Sequence, residues 1–241
     1  MSDPLAVIAR LPGVEDAVDE ARQAVDRLYR HRVLRRASPA VSAESSLRGA
    51  RASAGLEGVD VALDALRRDE AHDPLVQGAL RASAELGRLG STWRRAPRQV
   101  LARLHSVAAA GLVEESALGR PTSSPERMNG LFDLLETPTK APALVLAAIV
   151  HAELAVVRPF GSADGVVARA AERLTLVEYG LDPKSLAVVE VGHLELPYTD
   201  GLEAYRTGTR EGVARWVQQC ASAVTLGVRE ATAICEALQR G

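Results

Sequence analysis

The chain has 241 residues, enough for one all-α domain or for a small domain with a helical arm. Hydrophobic residues make up 47% of it but aromatics only 3%, so the core must be built from Ala, Leu and Val, which suits close-packed helices better than thick sheets. With 29 basic against 31 acidic residues the formal net charge is -2, which excludes the basic footprint of a nucleic-acid-binding protein.

In chain order, the first long helix is expected after Pro12-Gly13. Val14, Val18, Ala21, Val25 and Leu28 fall on one stripe, with acidic Glu15, Asp16, Asp19 and Glu20 early and Arg30 to Arg36 late, matching the helix dipole. Ser38-Pro39 is expected to stop it. The apolar stripe suits a core or a self-paired interface equally well. A second helix is expected over 43–58, closed by Gly58. Others are expected over 59–68, 74–89 and 97–109, whereas 111–123 reads as a loop. Ser124-Pro125-Glu126 has the form of a capped helix start. An apolar helix from Pro142 to Val157 is broken at Arg158-Pro159-Phe160-Gly161-Ser162. The next helix runs to about Glu178 and ends at Gly180. The tail from Thr209 to Leu238 reads as one helix, or two with a bend near Gly227.

Cys220 and Cys235 have no metal-ligand spacing and read as buried free thiols. His105 and His151 read as core histidines, and nothing near His193 in sequence completes a triad or a metal set. No metal site is expected. No secretory leader and no membrane-length apolar run are recognised, and a cytoplasmic location without membrane attachment is the expectation. The basic runs Arg30, Arg32, Arg35, Arg36 and Arg94, Arg95, Arg98 read as solvated helix ends.

The informative stretch runs from Arg158 to Arg169. It resembles the core of the Fic family (Fido domain), whose signature reads H-P-F-x-[DE]-G-N-G-R-x-x-R. Pro159, Phe160, Gly165 and Arg169 match at the right spacing. In that motif a loop feeds a helix start whose free N–H groups cradle phosphates, a carboxylate holds Mg²⁺, and a histidine takes a proton from the target hydroxyl. The departures fall on that chemistry. Arg158 replaces the histidine, and a guanidinium stays protonated, so it cannot act as the base. Ser162 stands for the metal-binding carboxylate, Ala163 and Asp164 for the Gly-Asn of the cradle, and Val166 for the first arginine. Asp164 brings a negative charge to the place of the phosphates.

A second match lies about a hundred residues upstream of that loop. Ser53-Ala54-Gly55-Leu56-Glu57-Gly58 fits the family's inhibitory-helix motif, [ST]-x-x-x-E-[GN]. In the family this glutamate pairs with the last arginine of the signature, so the resemblance pairs Glu57 with Arg169, either as an inhibitory lock or as a structural ion pair. Leu104-His105, Ser124 to Arg127, Tyr205 and Trp216 fall in the family's order. The stretch between His105 and Ser124 is too short for the family's full β-hairpin flap, which docks a target segment by strand addition.

The expected fold is thus all-α, a Fic-like helical domain over 93–241 with an N-terminal helical region, 1–92, forming one cooperative unit. The resemblance implies a degenerate Fic-like protein with no catalytic residue and no AMP-transferase activity, acting as a regulatory or binding protein. It would need no cofactor, with ATP and Mg²⁺ entering only if family function survives, and Gly165 and Arg169 are the residues left to meet a nucleotide. A protein partner or self-association is expected, without nucleic acid. Two alternatives stand beside this reading. One is a transferase of altered chemistry using another phosphate-containing donor, with a polar pocket lined by Arg158, Ser162, Asp164 and Arg169. The other is a nucleotide sensor without turnover.

Overall fold

A computed structural model describes residues 3–240; among them are α-helices and one 3-10 turn, Glu115–Ala117, but no β-strand. In chain order the helices are α1 (Pro4–Ile8), α2 (Val14–Tyr29), α3 (Leu34–Leu56), α4 (Leu63–Arg67), α5 (Pro74–Trp93), α6 (Pro97–Ala108), α7 (Pro125–Glu136), α8 (Ala143–Val157), α9 (Asp164–Glu178), α10 (Val189–Glu195), α11 (Tyr198–Arg206) and α12 (Arg210–Arg240). Pro at the first position opens α1, α5, α6 and α7, where a missing N–H costs nothing. No described helix is long and apolar enough to cross a membrane.

The apolar core is continuous from Leu5 to Cys235. At its centre lies α8, buried along almost its whole length from Leu144 to Leu154, as expected for a helix that is apolar all round. It packs on α9, and the long α12 runs against α2, α8, α10 and α11. The stripe Val14, Val18, Ala21, Val25 and Leu28 of α2 is buried in this core, so it is no longer available as a self-association face. Helix α9 brings Arg169, Glu172 and Arg173 into the interior, and each has partners there. The Arg173 guanidinium meets Glu190 of α10 at 3.2 Å and donates to the Ser185 hydroxyl and carbonyl at 2.7 and 3.0 Å.

Helix α3 faces this interior with small residues four apart. The Ser45 hydroxyl donates to the Leu186 carbonyl at 2.7 Å, and Gly49 gives room to Arg173 and Glu190, whose polar atoms stand 2.7 Å from where a Cβ would be. Ser53 accepts from Arg169, one turn further on. Gly58, at φ +91°, ends the helix as the left-handed residue beyond its cap.

Several local expectations change. The helix of the first apolar stripe stops at Tyr29, and Pro39 does not end a helix but lies inside α3. Ala37 (φ −117°, ψ 17°) leaves helical geometry, so Pro39 occupies the first turn of a restarted helix, where it is tolerated. Ser124 does not cap α7; its backbone is left-handed and its side chain makes no capping bond. Helix α4 is shorter than the expected 59–68, and α5 runs on to Trp93. The tail is one uninterrupted helix past Gly227, whose missing Cβ lets α12 approach the backbone at Val188. Arg94 and Arg98 are not merely solvated: each guanidinium stacks 4.1 Å from a ring, of Tyr179 and Phe132. Cys220 and Cys235 are free and buried.

Candidate functional site

The loop between α8 and α9 is held in an irregular shape by three left-handed residues, Arg158 (φ 51°), Gly161 (φ 76°) and Ala163 (φ 51°). Its carbonyls are tied to the preceding long loop. Thr122 donates its N–H to the Pro159 carbonyl at 2.7 Å, and the Ser123 hydroxyl reaches the Arg158 carbonyl at 3.3 Å. The side chain of Arg158 is exposed.

Ser162 meets a histidine. His105 lies face to face with Phe160, ring centroids 4.1 Å apart, and its Nε2 is 3.1 Å from the Ser162 hydroxyl. Its other nitrogen, Nδ1, accepts the Gly119 N–H at 2.9 Å. That bond fixes the tautomer: Nδ1 carries the lone pair, so Nε2 carries the proton and donates to Ser162. Burial lowers the His105 pKa, against a smaller opposite effect of Ser162, which keeps the ring neutral. In this arrangement His105 cannot take a proton from Ser162, so the pair is not a nucleophile with its base.

Asp164 folds back over the loop and accepts the Phe160 N–H at 2.9 Å, while its second oxygen is buried without a partner. Burial raises its pKa, with the Phe160 N–H and the charge of Arg158 pulling the other way. Glu57 enters from α3. Its Oε1 lies 2.7 Å from Arg169 Nη2 and packs against Gly165, where a Cβ would collide with it. Arg169 is 1% exposed and also donates to the Ser53 hydroxyl and carbonyl at 2.9 and 3.0 Å and to the Tyr198 hydroxyl at 3.3 Å. Val166 is buried. The structure therefore brings Ser53, Glu57, Gly165 and Arg169 together and sends Arg158 outward. An open, mostly apolar cavity adjoins Phe160, lined by Leu101, Met128, Phe132 and Arg98.

The Tyr198 hydroxyl leads to a second polar cluster. It is 2.8 Å from His151 Nε2, whose Nδ1 is 2.7 Å from Glu172 Oε2, and the same oxygen is 2.8 Å from His193 Nε2. His193 thus has the neighbours that its own stretch of sequence lacks. Burial lowers the His151 pKa to about 4, despite the opposing pull of Glu172. Burial pushes Glu172 up, but the two imidazoles prevail and hold it at about 2. Glu172 was missed in the sequence because its partners lie on other helices, though a glutamate beside apolar residues in the middle of a buried helix is a usable signal. Glu153 is elsewhere, in a fork with Arg127 at 2.9 Å and against the Tyr205 hydroxyl at 2.6 Å.

A Fic family protein from Desulfovibrio desulfuricans G20 superposes with a TM-score of 0.73 at 20% identity, over 90% of this chain and 74% of that one. The chain has the Fic fold. Fic-1 from C. elegans, over a fragment spanning its residues 134–508, gives a TM-score of 0.68 at 18% identity, with 91% of this chain and 73% of that one covered. No protein-family model and no curated protein matches the chain in sequence. On the Fic fold, then, the loop from Arg158 to Asp164 and the start of α9 are packed by the chain's own side chains: Ser162 by His105, Phe160 N–H by Asp164, and Arg169 by Ser53 and Glu57.

Proposed function

We propose that this chain is a degenerate Fic-family protein without AMP-transferase activity, acting by binding as a regulator or scaffold. The observation that carries the reading is the pair of carboxylates, Asp164 and Glu57, at the N-terminal end of α9. A helix start attracts phosphates through its free N–H groups and dipole, and two carboxylates there oppose a triphosphate instead. Arg158 supports the reading because it cannot remove a proton, and Ser162 because a neutral hydroxyl is a poor Mg²⁺ ligand. Residues 1–92 act with 93–241 as one cooperative unit, which the shared core supports. The ligand class this reading calls for is a cytoplasmic protein partner or a second copy of the chain.

The test is calorimetric titration of ATP and GTP with Mg²⁺ into the wild type and Glu57→Gly, followed by incubation with labelled ATP and a cell lysate. No binding and no labelling in either protein is the expected result. Labelling by the wild type would overturn the proposal. A second reading, a nucleotide sensor, is favoured by one feature: among the described residues Glu57 is the only anionic side chain bonded to Arg169. Binding without labelling that appears only in Glu57→Gly would select it. A transferase of altered chemistry would show labelling from another phosphate-containing donor.

A further inference from the structure

The side chains of His151, Glu172 and His193 converge in the core from α8, α9 and α10, with their ligand-type atoms all within 4.8 Å of one another. Cys220 of α12 is 1% exposed, and its thiol lies on the Glu172 side but outside that group of three. Two imidazoles, a carboxylate and a thiol from four different helices make up a donor set of the kind that tetrahedral Zn²⁺ takes. We propose that His151, Glu172, His193 and Cys220 form a closed structural site for a divalent transition metal of the zinc class.

Charge balance carries the argument beyond proximity. A carboxylate as deeply buried as Glu172, 2% exposed, requires a compensating positive charge nearby. The two nearest fixed cations on its own helix are already matched, Arg169 by Glu57 and Arg173 by Glu190. Among the described residues Glu172 pairs with no Lys or Arg, only with the two imidazoles. A divalent ion solves this directly. It adds two positive charges, Cys220 releases its thiol proton to solvent, and thiolate plus carboxylate bring the site to neutrality.

The surroundings supply one partner for a metal's outer shell. When His151 Nδ1 gives its lone pair to the ion, its proton moves to Nε2, which faces the Tyr198 hydroxyl at 2.8 Å. The His193 proton moves to Nδ1, which is buried without an acceptor, so the outer-shell partner belongs to His151 alone. The present nitrogen–oxygen separations of 2.7 and 2.8 Å would open to about 3.3 Å, as tetrahedral bonds of about 2 Å require. The site lies wholly inside, so the ion would enter as the helices assemble and would tie α8, α9, α10 and α12 together.

The experiment is elemental analysis of the full chain, produced in zinc-supplemented medium and desalted, together with refolding in the presence of Co²⁺. About one zinc per chain and a near-ultraviolet thiolate-to-cobalt absorption band are expected. In Cys220→Ala the band should vanish and the zinc content should fall. Should that variant not fold, thermal melting of the wild type with and without a strong chelator still decides, because the metal-bound protein must melt higher. Wild-type protein that carries no metal, and whose melting neither Zn²⁺ nor Co²⁺ raises on refolding, would overturn the proposal. So would stoichiometric zinc that survives in a folded Cys220→Ala with its cobalt band intact.

Discussion

The carboxylate of Glu57 rests against Gly165 so closely that the glycine cannot take on a Cβ without expelling it. A glycine at a helix start leaves room for a phosphate to approach the backbone; here a protein side chain uses that space. The contact also fixes α3 to the start of α9 at the point where Arg169 is buried.

Gly165→Ala should therefore destabilise the wild type by about 1–3 kcal/mol through overpacking. The sign should reverse when Glu57 is gone. In a Glu57→Gly background the same change should be neutral or stabilising by up to about 1 kcal/mol, because alanine is the better helix former and position 165 lies within α9. Urea unfolding of the four proteins measures the coupling, and equal costs in both backgrounds would show that the two residues do not touch in solution.

Glu57→Ala leaves the Arg169 guanidinium in the interior with only neutral partners, the Ser53 hydroxyl and carbonyl and Tyr198. A loss of about 3 kcal/mol is expected, at the low end for a broken buried pair because Glu57 itself is 28% exposed. Glu57→Gln, which keeps an acceptor, should lose clearly less. Thermal and urea unfolding of the two variants would disprove the account if they lost the same amount.

Acidification should loosen the loop at Gly119. The His105 pKa is lowered in the native state, so the unfolded chain takes up the proton first. The stability that depends on the neutral ring is therefore full above the unfolded value near 6.5 and is lost as pH falls from there toward the lower native value. A protonated Nδ1 can no longer accept the Gly119 N–H. Amide exchange at Gly119, corrected for intrinsic rates, should lose protection across that window, and His105→Asn should remove the pH dependence.

Thr175→Val tests a buried polar pair outside the site. The Trp93 indole N–H donates to the Thr175 hydroxyl at 3.1 Å, and both residues are fully buried. The nearly isosteric change keeps the volume but strands the indole donor, for a cost of about 1–3 kcal/mol. A chemical-denaturation midpoint within error of the wild type would mean that the donor finds another partner.

Much of the fold was legible in the sequence because its signals are local. Proline and glycine punctuate most of the helices where expected, and the apolar run before Arg158 marks the central helix by its lack of a polar face. Glu57 and Arg169, paired by resemblance, lie 2.7 Å apart. What escaped depends on tertiary neighbours. Pro39 reads as a stop because sequence alone does not show the kink at Ala37 that lets a new first turn begin. Ser124 has the chemistry of a cap, yet its left-handed backbone sends the hydroxyl elsewhere. His151, Glu172 and His193 are separated in sequence by 21 residues at each step and meet only once three helices pack. The tautomer of His105, which removes Ser162 as a nucleophile candidate, depends on a backbone N–H from a distant loop.

The spacing along α3 limits how Glu57 can ever leave Arg169. Ser45 is tied to the Leu186 carbonyl, Gly49 lies against the Arg173–Glu190 pair, and Ser53 is bonded to Arg169, one attachment per turn. Swinging the whole helix outward would have to break all of these at once and uncover two buried guanidinium groups. The last turn, from Gly55 to Gly58, is held by far less and ends in a left-handed glycine with open space around it. Release of Glu57 would therefore take the form of end-fraying of a single turn rather than a hinge motion, which places it on a fast local timescale and leaves the remaining helix in register to rewind.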